Sequence, residues 1–138
     1  MPQPTTLESL LFKSCRKQPI KPLGDRIVAL GPTELSPIDT WVGVLPIGYG
    51  DGVRRGLTNN GEALVGGERY PFVGTISMDN LTVDLGPETE VVPGEPAVLI
   101  GEQDGEEVNA EQLAESLGTI NYEITCGLSA RVPRAFRG

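Results

Sequence analysis

The 138-residue sequence contains no histidine. The commonest zinc sites and every Ser-His or Cys-His catalytic pair are thereby excluded. Cysteine is nearly as scarce: Cys15 and Cys126 are too few for a disulfide framework and read as two reduced, partly buried thiols of a cytosolic chain. No apolar run approaches the roughly 18 residues of a membrane-spanning helix. The N-terminal Met1-Pro-Gln-Pro-Thr-Thr-Leu has no basic segment followed by an apolar one, so a cytoplasmic location without a signal peptide is expected. Cations are outnumbered, 11 Lys and Arg against 19 Asp and Glu, for a formal charge of −8. With no basic stripe, nucleic acid is not an expected partner.

Turn formers are abundant instead. Gly (18) and Pro (12) are dense enough to argue against a helical bundle and for short strands joined by turns. Leu7 to Cys15 and Gly24 to Leu30 are strand-length apolar runs separated by Pro19 and Pro22. Trp41 to Gly48 reads as a buried strand ending in a glycine-rich turn. Glu62 to Val65 and Glu68 to Val73 form the arms of a hairpin around Gly66-Gly67. Leu81 to Leu85 alternates apolar and polar residues as a half-buried strand does. Pro96 to Ile100 is a further apolar run, and Glu102 to Glu107 reads as a solvated hairpin tip around Asp104-Gly105 rather than a calcium loop. One helix is expected near 109–118: Asn109 as N-cap with Gln112 closing a capping box, Ala110, Leu113, Ala114 and Leu117 on one face, and Gly118 as the stop. The tail from Ile120 to Arg137 reads as one or two short strands broken at Pro133. The expected fold is mainly β, a sandwich or small barrel in a single domain over 1–138.

Three segments carry candidate chemistry. Gly48-Tyr49-Gly50-Asp51-Gly52-Val53-Arg54-Arg55 lets the backbone turn sharply and offers a phenol beside two cations, but it lacks the spacing of a phosphate or dinucleotide loop. A tight surface turn is the plainer reading. In Gly74-Thr-Ile-Ser-Met78-Asp79-Asn80, methionine at a strand end usually packs and Asp-Asn usually turns. In the third segment, Tyr122 reads as a core aromatic with its hydroxyl at the rim, and Arg131 and Arg134 as partners for surplus carboxylates.

Taken in order, Pro46-Ile-Gly-Tyr-Gly-Asp-Gly52, Gly74-Thr-Ile-Ser-Met-Asp-Asn80 and Ile120-Asn-Tyr-Glu123 with Arg131-Val-Pro-Arg134 closely resemble the C-terminal domain of alanine racemase. The resemblance is strong from Trp41 to Arg134 and weak before it. It implies a small Greek-key-like β barrel. In the family that domain follows an N-terminal (β/α)8 barrel, which holds pyridoxal phosphate on a lysine, and two chains pair head to tail so that each β domain completes the other chain's active site. The activity implied is interconversion of L- and D-alanine, supplying D-alanine for the cell wall. By the same resemblance Met78 matches a methionine whose backbone N–H holds the substrate carboxylate. Tyr49 matches a tyrosine at the inner entrance, Arg55 an arginine at its outer rim, and Ile120 and Tyr122 residues of the same corridor, with Tyr122 near the cofactor phosphate.

The sequence departs from that pattern in three places. No barrel is present, and Lys13, Lys17 and Lys21 match no cofactor lysine, so covalent capture of pyridoxal phosphate by this chain is not expected. The family's catalytic tyrosine falls on Leu30, which cannot transfer a proton. Thr75 stands where the family often has arginine. The expectation is a domain inactive alone, which completes a partner barrel or a full-length racemase. The alternatives are a non-catalytic binding or assembly module that kept the fold, and a chain in which Tyr49 substitutes as base with help from Arg54 or Arg55. A domain built to sit on a barrel also exposes a patch prone to self-association.

Overall fold

The computed structural model describes residues 16–20, 40–92 and 94–136, the first stretch as backbone only. Leu30, Lys13, Lys21, Cys15 and the expected strands over 7–15 and 24–30 lie outside these residues. Lys17 falls in the first strand, β1 (Arg16–Ile20), opposite Gly43.

β1 pairs antiparallel with β2 (Thr40–Leu45), which pairs antiparallel with β5 (Leu81–Gly86). In β5 every second residue is buried, so Leu81, Val83 and Leu85 face the core as the alternation requires. β2 stops at Leu45, earlier than the apolar run suggests, because Pro46 has no N–H for the ladder.

The expected hairpin is present as β3 (Glu62–Val65) and β4 (Glu68–Pro71), with Val65 opposite Glu68. Gly66 and Gly67 both take positive φ, 61° and 80°, the combination a two-residue hairpin turn demands. β4 ends at Pro71 rather than Val73, but Phe72 still bridges to Val83 and so joins the two sheets. β3 is central, pairing on its other side with β6 (Ala97–Val98), which explains why Ala63, Leu64 and Val65 are all buried in sequence. The acidic run is the hairpin β7 (Gly101–Gln103) and β8 (Glu106–Val108), turning at Asp104-Gly105 as expected. Side chains from both sheets, including Leu45, Leu64, Leu81 and Val98, and from the loops, Ile47 and Ile76, form one core.

Helix α1 (Ala110–Leu117) matches its sequence signals closely. Asn109 Oδ1 accepts from the Gln112 N–H and Gln112 Oε1 from the Asn109 N–H, both at 2.9 Å. Leu113 and Ala114 are buried, and Gly118 ends the helix in the left-handed region at φ 69°. The tail corrects the expectation. Residues 121–126 form a second helix, α2 (Asn121–Cys126), where strands were expected. Ile, Tyr and Thr favour strands only where a pleated, half-buried surface receives them, and tertiary packing overrides that preference. Here only Ile124 is buried, while Asn121 Nδ2 donates to Glu111 Oε1 at 2.6 Å and ties α2 to α1. Cys126, expected to be partly buried, sits exposed at the end of α2. The fold is thus mainly β with two short helices.

Candidate functional site

The three glycine-, methionine- and arginine-bearing segments, far apart in sequence, meet on one face. The first is anchored by Ile47, which is buried beyond Pro46. It then makes a single 3-10 turn over Tyr49–Asp51, closed by Asp51 Oδ2 accepting the Gly48 N–H at 2.9 Å. The second is anchored by Ile76, also buried, whose N–H reaches Thr58 Oγ1 at 3.2 Å. It turns at Ser77, whose N–H and hydroxyl both donate to the Asn80 carbonyl at 2.9 Å while its Oγ accepts the Asn80 N–H at 3.0 Å.

The two turns are stitched backbone to backbone. The Tyr49 N–H donates to the Ser77 carbonyl and the Gly50 N–H to the Met78 carbonyl, each at 2.9 Å. A Cβ at Gly48 would come within 2.6 Å of the Met78 carbonyl carbon, so this approach requires glycine. The stitching also fixes the direction of two donors. In a trans peptide the C=O and N–H point opposite ways. With the Ser77 and Met78 carbonyls turned toward the first loop, the Met78 and Asp79 N–H groups point away from it. Among the described residues neither N–H has a hydrogen-bond partner.

The third segment closes the site. The Ser129 N–H donates to the Asp51 carbonyl at 3.0 Å, and Arg54 Nη2 donates to the Glu123 carbonyl at 3.2 Å. Arg131 pairs with Asp51, Nε to Oδ1 at 3.4 Å, and through Nη2 with Asp79 Oδ1. These carboxylates, Asp79 foremost, hold the guanidinium protonated even more firmly than usual. Among the described residues Arg134 does not find the carboxylate expected for it. It donates to the carbonyls of Ser129 and Val132 at 2.8 Å and of Leu128 at 3.0 Å, so it shapes the turn around Pro133.

The side chains singled out in the sequence stand on the outside. Tyr49 is 45% exposed, Met78 51%, Ile120 61% and Tyr122 71%. Met78 is therefore not a packing residue and Tyr122 is not a core aromatic: the turn holds the one clear of the core, and the first turn of α2 does the same for the other. Arg55 is exposed and, among the described residues, makes no ion pair. Sequence reasoning missed the Asp51–Arg131–Asp79 tie. Its one local signal is that an aspartate follows each of the two residues, Gly50 and Met78, that the loops bond together.

Alanine racemases are among the solved structures similar to this chain. That from Bacillus anthracis with bound L-Ala-P superposes with a TM-score of 0.78 at 37% identity, over 94% of this chain and 32% of that one. That from E. faecalis gives 0.77 at 34% identity, over 87% of this chain and 32% of that one. Among curated proteins, the alanine racemase of Cutibacterium acnes is 47% identical over 116 residues, 84% of this chain and 31% of the relative. The chain thus spans about a third of the length of the relatives it matches. The family model described as "Alanine racemase, C-terminal domain" matches residues 24–136, and the chain belongs to that family.

Proposed function

We propose that this domain completes the active site of an alanine racemase, seated on an N-terminal barrel that holds pyridoxal phosphate, in the cytoplasm. Its exposed face lies over the substrate there. The observation that carries this reading is the pair of outward-pointing N–H groups at Met78 and Asp79, without partners among the described residues. Backbone donors held from behind suit a carboxylate, and Met78 supplies one whatever its side chain. When bound, the cofactor supplies the electron sink that makes the α-proton of alanine removable. The residues of this face fit a non-covalent role toward it: Tyr122 presents an exposed phenol suited to a phosphate oxygen, while no lysine occurs from residue 40 onward. Tyr49, Ile120 and Arg55 then border the substrate's entrance.

The chain by itself is inactive on this reading, since the cofactor lysine belongs to the barrel. Leu30 at the expected base position lowers the rate even of the assembled enzyme, by about 10²–10⁴-fold, the usual worth of a positioned base. Whether Tyr49 makes good this loss is read from Tyr49→Phe in the assembled enzyme, where unchanged turnover dismisses it as the base. Leu30 also favours a second reading, a binding or assembly module that has left chemistry behind.

The test mixes the chain, or its Leu30→Tyr variant, with a racemase barrel lacking its own C-terminal domain, and follows alanine racemisation with pyridoxal phosphate. The reading expects a stable pair, no turnover by the chain alone, and a gain of about 10²-fold or more from Leu30→Tyr. A pair that forms without turnover from either version supports the assembly module. Turnover by the chain alone at an ordinary enzyme rate, or failure to pair at all, overturns the proposal.

A further inference from the structure

We infer that Arg131 is the positioning residue for the carboxylate-binding donors, acting through Asp51 on the first loop and Asp79 on the second; this rests on the reading of Met78 proposed above. Arg131 grips Asp51, which follows Gly50, and Asp79, which follows Met78. Gly50 and Met78 are the pair whose backbones are bonded at 2.9 Å. The cation therefore clamps both loops one residue beyond the bond that orients the donors. It crosses directly over Gly50, where a Cβ would overlap Nη1 and come 3.0 Å from the Met78 carbonyl oxygen. Asp51 is committed on every side: Oδ2 accepts the Gly48 N–H at 2.9 Å, Oδ1 faces Arg131, and its carbonyl accepts the Ser129 N–H at 3.0 Å. Its side chain is only 14% exposed.

This arrangement is a single hydrogen-bonded network rather than an isolated surface pair, and its members support one another. A lone exposed ion pair is worth little. This one differs because its two carboxylates sit on different loops, and because the geometry it fixes is that of two backbone dipoles. Neither Met78 nor Asp79 needs its side chain to touch the substrate. Arg131 itself touches nothing that reacts: its task is to keep the Ser77–Met78 and Met78–Asp79 peptide planes turned so that both N–H groups face outward.

The test uses Arg131→Met, Arg131→Lys and the milder Asp79→Asn in the full chain. Amide hydrogen exchange is read by NMR at Tyr49 and Gly50, with Leu64 in β3 as the distant reference. The inference expects exchange at Tyr49 and Gly50 to quicken about tenfold in Arg131→Met while Leu64 is unchanged, with partial recovery in Arg131→Lys. Asp79→Asn reports on the same link if Arg131→Met fails to fold. In the assembled racemase, Arg131→Met raises KM for alanine about tenfold with kcat nearly unchanged, the mark of lost uniform binding. Unchanged exchange at Tyr49 and Gly50 in folded Arg131→Met or Asp79→Asn overturns the inference. Quickened exchange with an unchanged KM removes the positioning role and leaves a structural clamp. The underlying reading fails separately: Met78→Pro, which deletes the donor, would then leave KM unchanged.

Discussion

The Gly50 N–H meets the Met78 carbonyl at 2.9 Å, and no side chain fits between the two backbones. Gly48, two residues earlier, is tighter still. The contact converts a pair of separately coded turns into one rigid ledge, with its carbonyls inward and its amide donors outward. The outward direction of the Met78 and Asp79 N–H groups is thus decided by two glycines that hydrogen-bond to neither donor.

Alanine at these positions tests that ledge. At Gly48 the new Cβ is driven into the carbonyls of Ser77 and Met78, which are backbone and cannot swing aside. At Gly50 it meets the Arg131 guanidinium and the Met78 side chain, whose ends can move, and the Met78 carbonyl oxygen at a less severe 3.0 Å. Overpacking of this kind costs about 1–3 kcal/mol, more where nothing yields. Urea denaturation should show both variants destabilised and Gly48→Ala the more so. The reverse order would mean that the loops are not held as closely as the structure has them.

The start of α1 offers a cleaner energetic test. Asn109→Ala removes one half of the reciprocal capping pair with Gln112 and leaves an N–H of the first turn without its acceptor. The expected loss is about 1 kcal/mol, and Asn109→Ser should recover most of it, since a serine oxygen can take the same bond. The midpoint of chemical unfolding reads both. Equal loss in the two variants would count against the cap.

The same contrast between local and distant coding explains what the sequence made legible. The Gly66-Gly67 turn, the Leu81–Leu85 alternation and the Asn109 cap were readable because each is settled by neighbours within a few residues. Helix α2 was not: Ile120 to Cys126 is rich in strand formers, and only its docking against α1 makes it helical. Exposure of Met78 and Tyr122 was hidden for a related reason, since an apolar or aromatic side chain is kept out of the core by the shape of its turn and not by its type. The Arg131–Asp79 pair spans 52 residues, a separation at which charge counting says only that a partner exists somewhere. The family was legible because three short motifs, individually bland, occur in one order; the structure then brings those motifs onto one face.

Tyr70, on the outer strand β4, yields the pH-dependent prediction. Partial burial, then the hydrogen bond from its hydroxyl to Glu68 Oε2 at 2.9 Å, raise its pKa above the ordinary value of 10.0, and Glu95 adds to the repulsion a phenolate would feel. A pKa higher in the folded than in the unfolded chain means that the stabilisation is fully present below the unfolded value and is lost as pH rises through the folded one. Tyr70→Phe should therefore abolish a phenolate absorbance component that titrates above about 10. It should also narrow the alkaline decline: wild type loses stability relative to Tyr70→Phe as the pH climbs past about 10, while the gap between them stays constant from neutral pH up to that point. Thermal unfolding across that range measures it. A gap that closes below pH 10, or a Tyr70 component titrating under the ordinary value, would mean that the phenol is not held against Glu68.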